Sequence, residues 1–132
     1  MVPGTDFRRQ LLGDAAVERH LSGPAHASAP ELTRYIDDNL FGEVWQQPGL
    51  SSRERALVTV SAFAALGLTA QLRTYVGAAQ RLGVERDALI QTIVQLAFYI
   101  GFPAAGNALG IVVEATQPRS DESSEGKEPS NT

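Results

Sequence analysis

The stretch SSRERALVTVSAFAALG, residues 51–67, decides the fold. Ser51 precedes Glu54 by three residues, so its hydroxyl can accept from the Glu54 amide while the Glu54 carboxylate returns to the Ser51 amide. Such a reciprocal capping box marks a helix N-terminus. Behind it Leu57, Val58, Val60, Phe63 and Ala64 make an apolar helix that stops near Gly67. The pattern then predicts a helix over 70–82 with Thr69 as its cap, closing at the Leu82-Gly83-Val84 turn. Another runs from about Glu85 to Ile100, and a further one starts at Pro103.

The helix from Glu85 carries apolar residues on nearly every side, among them Leu89, Ile90, Ile93, Val94, Ala97 and Phe98. A helix apolar all round has to be covered all round. A chain of 132 residues can hardly do that alone, so this helix and the next are expected to meet their own copies in an oligomer.

Upstream, residues 5–21 read as one helix capped by Thr5 or Asp6, with Phe7, Leu11, Leu12, Ala15 and Val17 as its stripe and Gly13 in its middle. Residues 22–28 are turn-rich and predict a loop. Pro30 suits the first turn of a second helix, whose Leu32, Tyr35, Ile36, Leu40 and Phe41 recur at three- and four-residue spacing. The Pro48-Gly49 turn then places Trp45 just before the core block. No stretch alternates with period two. The expected fold class is all-α, with about six helices in one domain over 1–117. From Pro118 the chain turns to Ser, Glu, Pro, Gly and Lys, and 118–132 is expected to be a disordered tail.

Composition excludes several function classes. With no cysteine there is no disulfide, thiol nucleophile or thiolate metal site. Two histidines, His20 and His26, make a poor histidine-based metal site and read as exposed side chains. A net charge of −4 with no basic cluster beyond Arg8-Arg9 argues against nucleic-acid binding. Met1 to Gln10 is polar and no apolar segment of signal-peptide type follows. The uncharged run Leu96–Val113 is broken by Gly101-Phe102-Pro103, which favours a buried helix pair over a membrane span. A cytoplasmic protein is expected.

Several separated motifs then agree in order and spacing with one family. Gly4-Thr-Asp-Phe-Arg8-Arg9-Gln-Leu-Leu12-Gly13-Asp14 with Val17 and Arg19, Gly42-Glu43-Val44-Trp45 with Pro48-Gly49-Leu50, and Arg55-Ala-Leu-Val-Thr59 resemble the carboxymuconolactone decarboxylases. So do Ala78-Ala79, Gly83-Val84 and Tyr99-Ile-Gly101-Phe-Pro103-Ala-Ala-Gly-Asn107-Ala108. The resemblance covers roughly residues 4–115. It implies a helical fold assembled into trimers or hexamers, and cofactor-free loss of carbon dioxide from 4-carboxymuconolactone.

The chain also departs from the family pattern. The Cys-x-x-Cys pair of the alkylhydroperoxidase D-like branch falls on Leu68 and Gln71, which excludes thiol peroxidase chemistry. The family's helix histidine falls on Tyr75, its preceding glutamate on Gln71, and a further histidine near Gly110.

The remaining residues suit binding and polarisation. Arginine forks bind carboxylate in two places, so Arg8, Arg9 and Arg55 are candidate anchors, against a second reading as surface or subunit salt bridges. Gln71 and Tyr75 lie four apart on one helical face and offer an amide and a phenol to a carbonyl or hydroxyl. Trp45 would wall the pocket or simply fill the core, and Tyr99 and Asn107 flank the Gly-Phe-Pro turn as candidate binding groups. The expected activity is a cofactor-free decarboxylation or proton transfer on a small anionic lactone or related oxygenated molecule. A diverged isomerase or cyclase of a polyketide-like biosynthetic pathway, and a non-catalytic binding or scaffolding oligomer, are the alternatives.

Overall fold

The computed structural model describes residues 1–118, so the expected tail lies, from residue 119 on, outside the described residues. The described residues form eight α-helices, a π-helical turn and a 3-10 turn, with no strand among them.

The capping box forms as read. The Glu54 amide donates to Ser51 Oγ at 3.1 Å and the Ser51 amide donates to Glu54 Oε1 at 2.8 Å. It starts the helix Ser52–Leu66, α5 in chain order, which Gly67 ends in the left-handed conformation at φ 69. Gly67 and Leu68 turn the chain in two residues. The helix Thr69–Arg81, α6, therefore begins with Leu68 as its cap and Thr69 already helical, one residue earlier than expected. It buries Leu72, Val76, Ala78 and Ala79 and packs against both α5 and the last helix, α8 (Phe102–Ala115). Small residues at these contacts, among them Ala56, Ala64, Ala79, Ala105 and Ala108, let the helix axes approach closely. The helix Arg86–Ile100, α7, pairs with α8 and buries only Leu89 and Ile93, leaving Val94, Phe98 and Tyr99 exposed beside Phe102.

The N-terminal third departs from the expectation. The helix expected over 5–21 is two helices, α1 (Gly4–Leu12) and α2 (Asp14–Leu21). Gly13 separates them at φ +84, and a Cβ there would meet Arg81 Nη2 at 2.8 Å. Residues 22–28, expected as loop, contain the short helix Pro24–Ser28, α3, because Pro24 is preorganised for the first helical position and alanines follow. The helix expected from Pro30 stays α-helical only to Tyr35 as α4, then widens into a π-helical turn over Ile36–Phe41. Its mark is the Gly42 amide donating to the Asp37 carbonyl, five residues back, at 2.8 Å. Gly4 touches this turn: a Cβ on it would overlap the Asp37 carbonyl oxygen. The start of α1 thus lies directly on the widened turn, which sets where Arg8 points. Among the described residues no helix is long and apolar enough to cross a membrane.

Candidate functional site

Where α1, α2, the π-helical turn, α5 and α6 converge, they line an open cavity of about 470 Å³. This lies in the size range of small-ligand sites. Arg8, Leu12, Ala16 and His20 come at intervals of four and supply one wall; Ile36, Leu40 and Phe41 of the wide turn supply a second. Gln71, Thr74 and Tyr75 of α6 face them, with Phe63 of α5. The lining holds two arginines, Arg8 and Arg19, and no carboxylate. A chain of net charge −4 has therefore gathered positive charge at one concave place, which is what an anionic ligand requires.

Arg8 is the charged group at the bottom. It is 6% exposed, with Nη1 donating to Asp37 Oδ1 at 3.2 Å and its guanidinium 5.6 Å from the Phe41 ring centroid. Its Nε is buried and has no hydrogen-bond partner among the described residues. Burying a guanidinium is costly unless it is paired. Asp37 supplies one partner, and an anion in the cavity would complete the set.

Tyr75 is half-buried and held between two rings, Trp45 stacked at 6.4 Å and Phe63 tilted at 5.3 Å. Burial pushes its phenol above the ordinary tyrosine value, opposed by the nearby Arg8 charge. Tyr75 is thus a hydrogen-bond donor at neutral pH and no base. No hydrogen bond joins it to Gln71, whose side chain is exposed with Arg19 at the cavity rim.

The other candidates lie elsewhere. Trp45 is buried behind Tyr75, stacked also on Phe41 at 6.5 Å, and supports the cavity without lining it. Arg9 points out of α1 into exposed ion pairs with Asp14 at 3.2 Å and Glu18 at 2.8 Å. Arg55 donates to the Gln47 carbonyl at 2.9 Å and borders a separate recess beside Trp45, where it pins the Pro48-Gly49 turn. Tyr99 is 79% exposed on α7, and Asn107 is exposed beside a small recess between α5 and α8. Arg9, Arg55, Tyr99 and Asn107 do not reach the cavity of Arg8 and Tyr75.

The sequence reading missed His20. The ring is half-buried, lines the cavity, and its Nε2 lies 3.1 Å from the Thr33 hydroxyl, which also bonds His26 Nδ1 at 2.8 Å. The exposed-histidine reading is corrected for both rings, since each is held on the buried Thr33. The four-residue spacing from Arg8 through Leu12 and Ala16 to His20 was the available signal.

The described residues define a small helical protein with an arginine-lined cavity, in a chain without cysteine. The model of the carboxymuconolactone decarboxylase family matches residues 30–114, and the chain belongs to that family. It is 32% identical over 111 residues to 4-carboxymuconolactone decarboxylase of Acinetobacter baylyi, covering 84% of this chain and 82% of the relative. It is 27% identical over 128 residues to nitrosuccinic acid decarboxylase npaB of Metarhizium robertsii, covering 97% and 88%.

Proposed function

We propose that this chain is a cofactor-free decarboxylase of small carboxylate anions and that the Arg8 cavity is its active site. The observation that carries the reading is the buried Arg8, with one nitrogen unpartnered, in a cavity lined by arginine and lacking any carboxylate. Relatives named for decarboxylating 4-carboxymuconolactone and nitrosuccinic acid support the reaction class. The two named substrates share a chemistry. Each carries a carboxylate whose departing electrons flow into an electron-poor group, the conjugated lactone carbonyl in one and the nitro group in the other.

In this reading Arg8 and Arg19 anchor carboxylate, and the Gln71 amide and Tyr75 hydroxyl donate to the oxygens on which charge develops. Preorganised donors act more strongly in a part-dry site, and Trp45 and Phe63 keep the Tyr75 ring in place. The deciding experiment measures carbon dioxide release from 4-carboxymuconolactone and from nitrosuccinate, with Tyr75→Phe alongside. Turnover of either that falls in Tyr75→Phe supports the assignment; no release from either overturns it.

Tyr75 and Gly110, standing where the family pattern places histidines, favour a second reading. In it the site exchanges or moves a proton on a lactone without losing carbon dioxide, as an isomerase or cyclase would. Deuterium uptake from heavy water without carbon dioxide release would identify it. Binding with neither would leave a ligand-binding oligomer. We further propose a cytoplasmic homo-oligomer, trimer or hexamer, formed through α7 and α8. Support comes from Phe98, Tyr99 and Phe102, each more than 60% exposed beside an apolar groove of about 370 Å³.

A further inference from the structure

Losing carbon dioxide consumes a proton at carbon, and the proposed donors Gln71 and Tyr75 do not readily supply one. Gln71 does not titrate, and burial holds the Tyr75 proton more tightly than usual. The cavity contains one further titratable group suited to neutral pH, His20. Its geometry differs from that of an isolated wall histidine. Thr33 Oγ1, on a residue 5% exposed, lies 3.1 Å from His20 Nε2 and 2.8 Å from His26 Nδ1. A hydroxyl has one hydrogen to give, so with neutral rings one imidazole accepts from Thr33 and the other donates to it. This is a continuous path of two hydrogen bonds from the cavity wall to a ring on α3.

We propose that His20 is the proton donor of this cavity and that Thr33, itself held by His26, positions the ring by keeping its Nε2 engaged. The proposal rests on the decarboxylase reading and names its missing group. The carbon–carbon bond of the bound carboxylate breaks, carbon dioxide leaves, and the electron pair remains on the substrate, spread into its electron-poor group. That anion takes a proton from the His20 imidazolium and becomes the product C–H. The proton given is the one on Nδ1, while Nε2–H stays donated to the Thr33 hydroxyl, which in turn donates to His26 Nδ1; after product leaves, water entering the open cavity reprotonates Nδ1. One solvent proton is consumed per turnover, with no oxidant, reductant or cofactor.

The surroundings of His20 fit a donor that charges when substrate binds. Facing it are Arg8 from α1, Arg19 on its own helix, His26 from α3, Asp37 from the π-helical turn and Tyr75 from α6. In the empty cavity burial, then Arg8 and His26, hold its imidazole below the ordinary histidine value, with Asp37 opposing them. An anion neutralising Arg8 removes one of these effects and draws a proton to His20. The empty site favours the neutral imidazole, and a bound anion shifts it toward the imidazolium.

The test uses the full chain in two parts. In the first, carbon dioxide release from 4-carboxymuconolactone and nitrosuccinate is followed across pH for native protein, His20→Gln, Thr33→Val and Thr33→Ser. A positioned acid typically contributes about 100-fold or more, so His20→Gln should lose about that much in kcat with KM changed no more than about threefold. Thr33→Val should shift the alkaline limb of kcat, and Thr33→Ser, which keeps the hydroxyl, should restore it. Turnover in His20→Gln within about threefold of native overturns the proposal.

The second part needs no turnover. Imidazole nitrogen resonances are followed against pH, with and without succinate as a carboxylate probe. Succinate should raise the His20 midpoint, and His26→Gln should raise it in the absence of probe. If native protein decarboxylates neither compound, the decarboxylase reading fails by itself. The linked, anion-responsive His20 is then judged on the titration: a midpoint moved by neither change overturns it.

Discussion

Arg8 on the first helix and Asp37 on the π-helical turn form a nearly buried ion pair, 3.2 Å apart, with side chains 7% and 14% exposed. One partner comes from a helix expected on apolar spacing and the other from a turn whose hydrogen bonds reach five residues back. Asp37 therefore does two things: its carboxylate holds the cavity's arginine, and its carbonyl closes the wide turn against Gly4.

Removing one member of a buried pair strands the other. Asp37→Ala is expected to lower stability by about 3 kcal/mol in urea unfolding, since it leaves the Arg8 guanidinium without its carboxylate. A loss under about 0.5 kcal/mol, the size of an ordinary surface substitution, would contradict the pairing.

The two adjacent arginines should separate in function. Arg8→Gln is expected to raise KM for a carboxylate substrate at least about 10-fold, as loss of a charge-assisted contact implies. Arg9 is engaged with Asp14 and Glu18 at the surface, so Arg9→Gln should leave KM within about twofold. Steady-state kinetics of both variants decides it, and equal effects would relocate the anion site.

Tyr75 should titrate above the ordinary tyrosine value. Tyr35 and Tyr99 are 52% and 79% exposed, whereas burial raises the Tyr75 phenol. Its stability contribution runs with the sign of a raised acid. The folded state binds the proton more tightly, so stability is fully present below the reference value of 10.0 and falls as pH rises above it. An ultraviolet phenolate titration of the native protein should show a late phase that Tyr75→Phe removes.

His20 has the opposite sign. Its imidazole is held below the reference 6.5, so the unfolded chain takes the proton first as pH falls. The contribution is complete above that reference and is lost as pH drops through the lower folded midpoint. Urea unfolding at pH 7 and pH 5 should show a smaller acid-induced loss in His20→Asn than in native protein. An equal loss would place the ring outside the site's electrostatics.

The apolar face of α7 and α8 predicts an assembly. Phe98→Glu with Phe102→Glu should shift the mass found by light scattering from oligomer to about 14 kDa. In the proposed assembly these side chains, 78% and 67% exposed in the single chain, would sit in the interface core, where introduced charge is strongly unfavourable. A native protein already monomeric would refute the proposed assembly.

Local signals carried the block from Ser51 to Ala115. A capping box, glycine turns and three- and four-residue spacing are properties of consecutive residues, and they gave α5 to α8 to within a residue or two. The same spacing paired Gln71 with Tyr75 on one face. The N-terminal third was harder to read because its breaks depend on partners distant in sequence. Gly13 is needed where Arg81 presses on it, and Gly4 where it meets the Asp37 carbonyl. The sequence by itself therefore determined the helical class, the absence of thiol chemistry and the family resemblance. Only the tertiary structure decided which arginine is buried and that His20 and His26 share Thr33. A side chain's neighbours across helices depend on how those helices cross, and the wide turn and the Gly13 break set that crossing through long-range contacts.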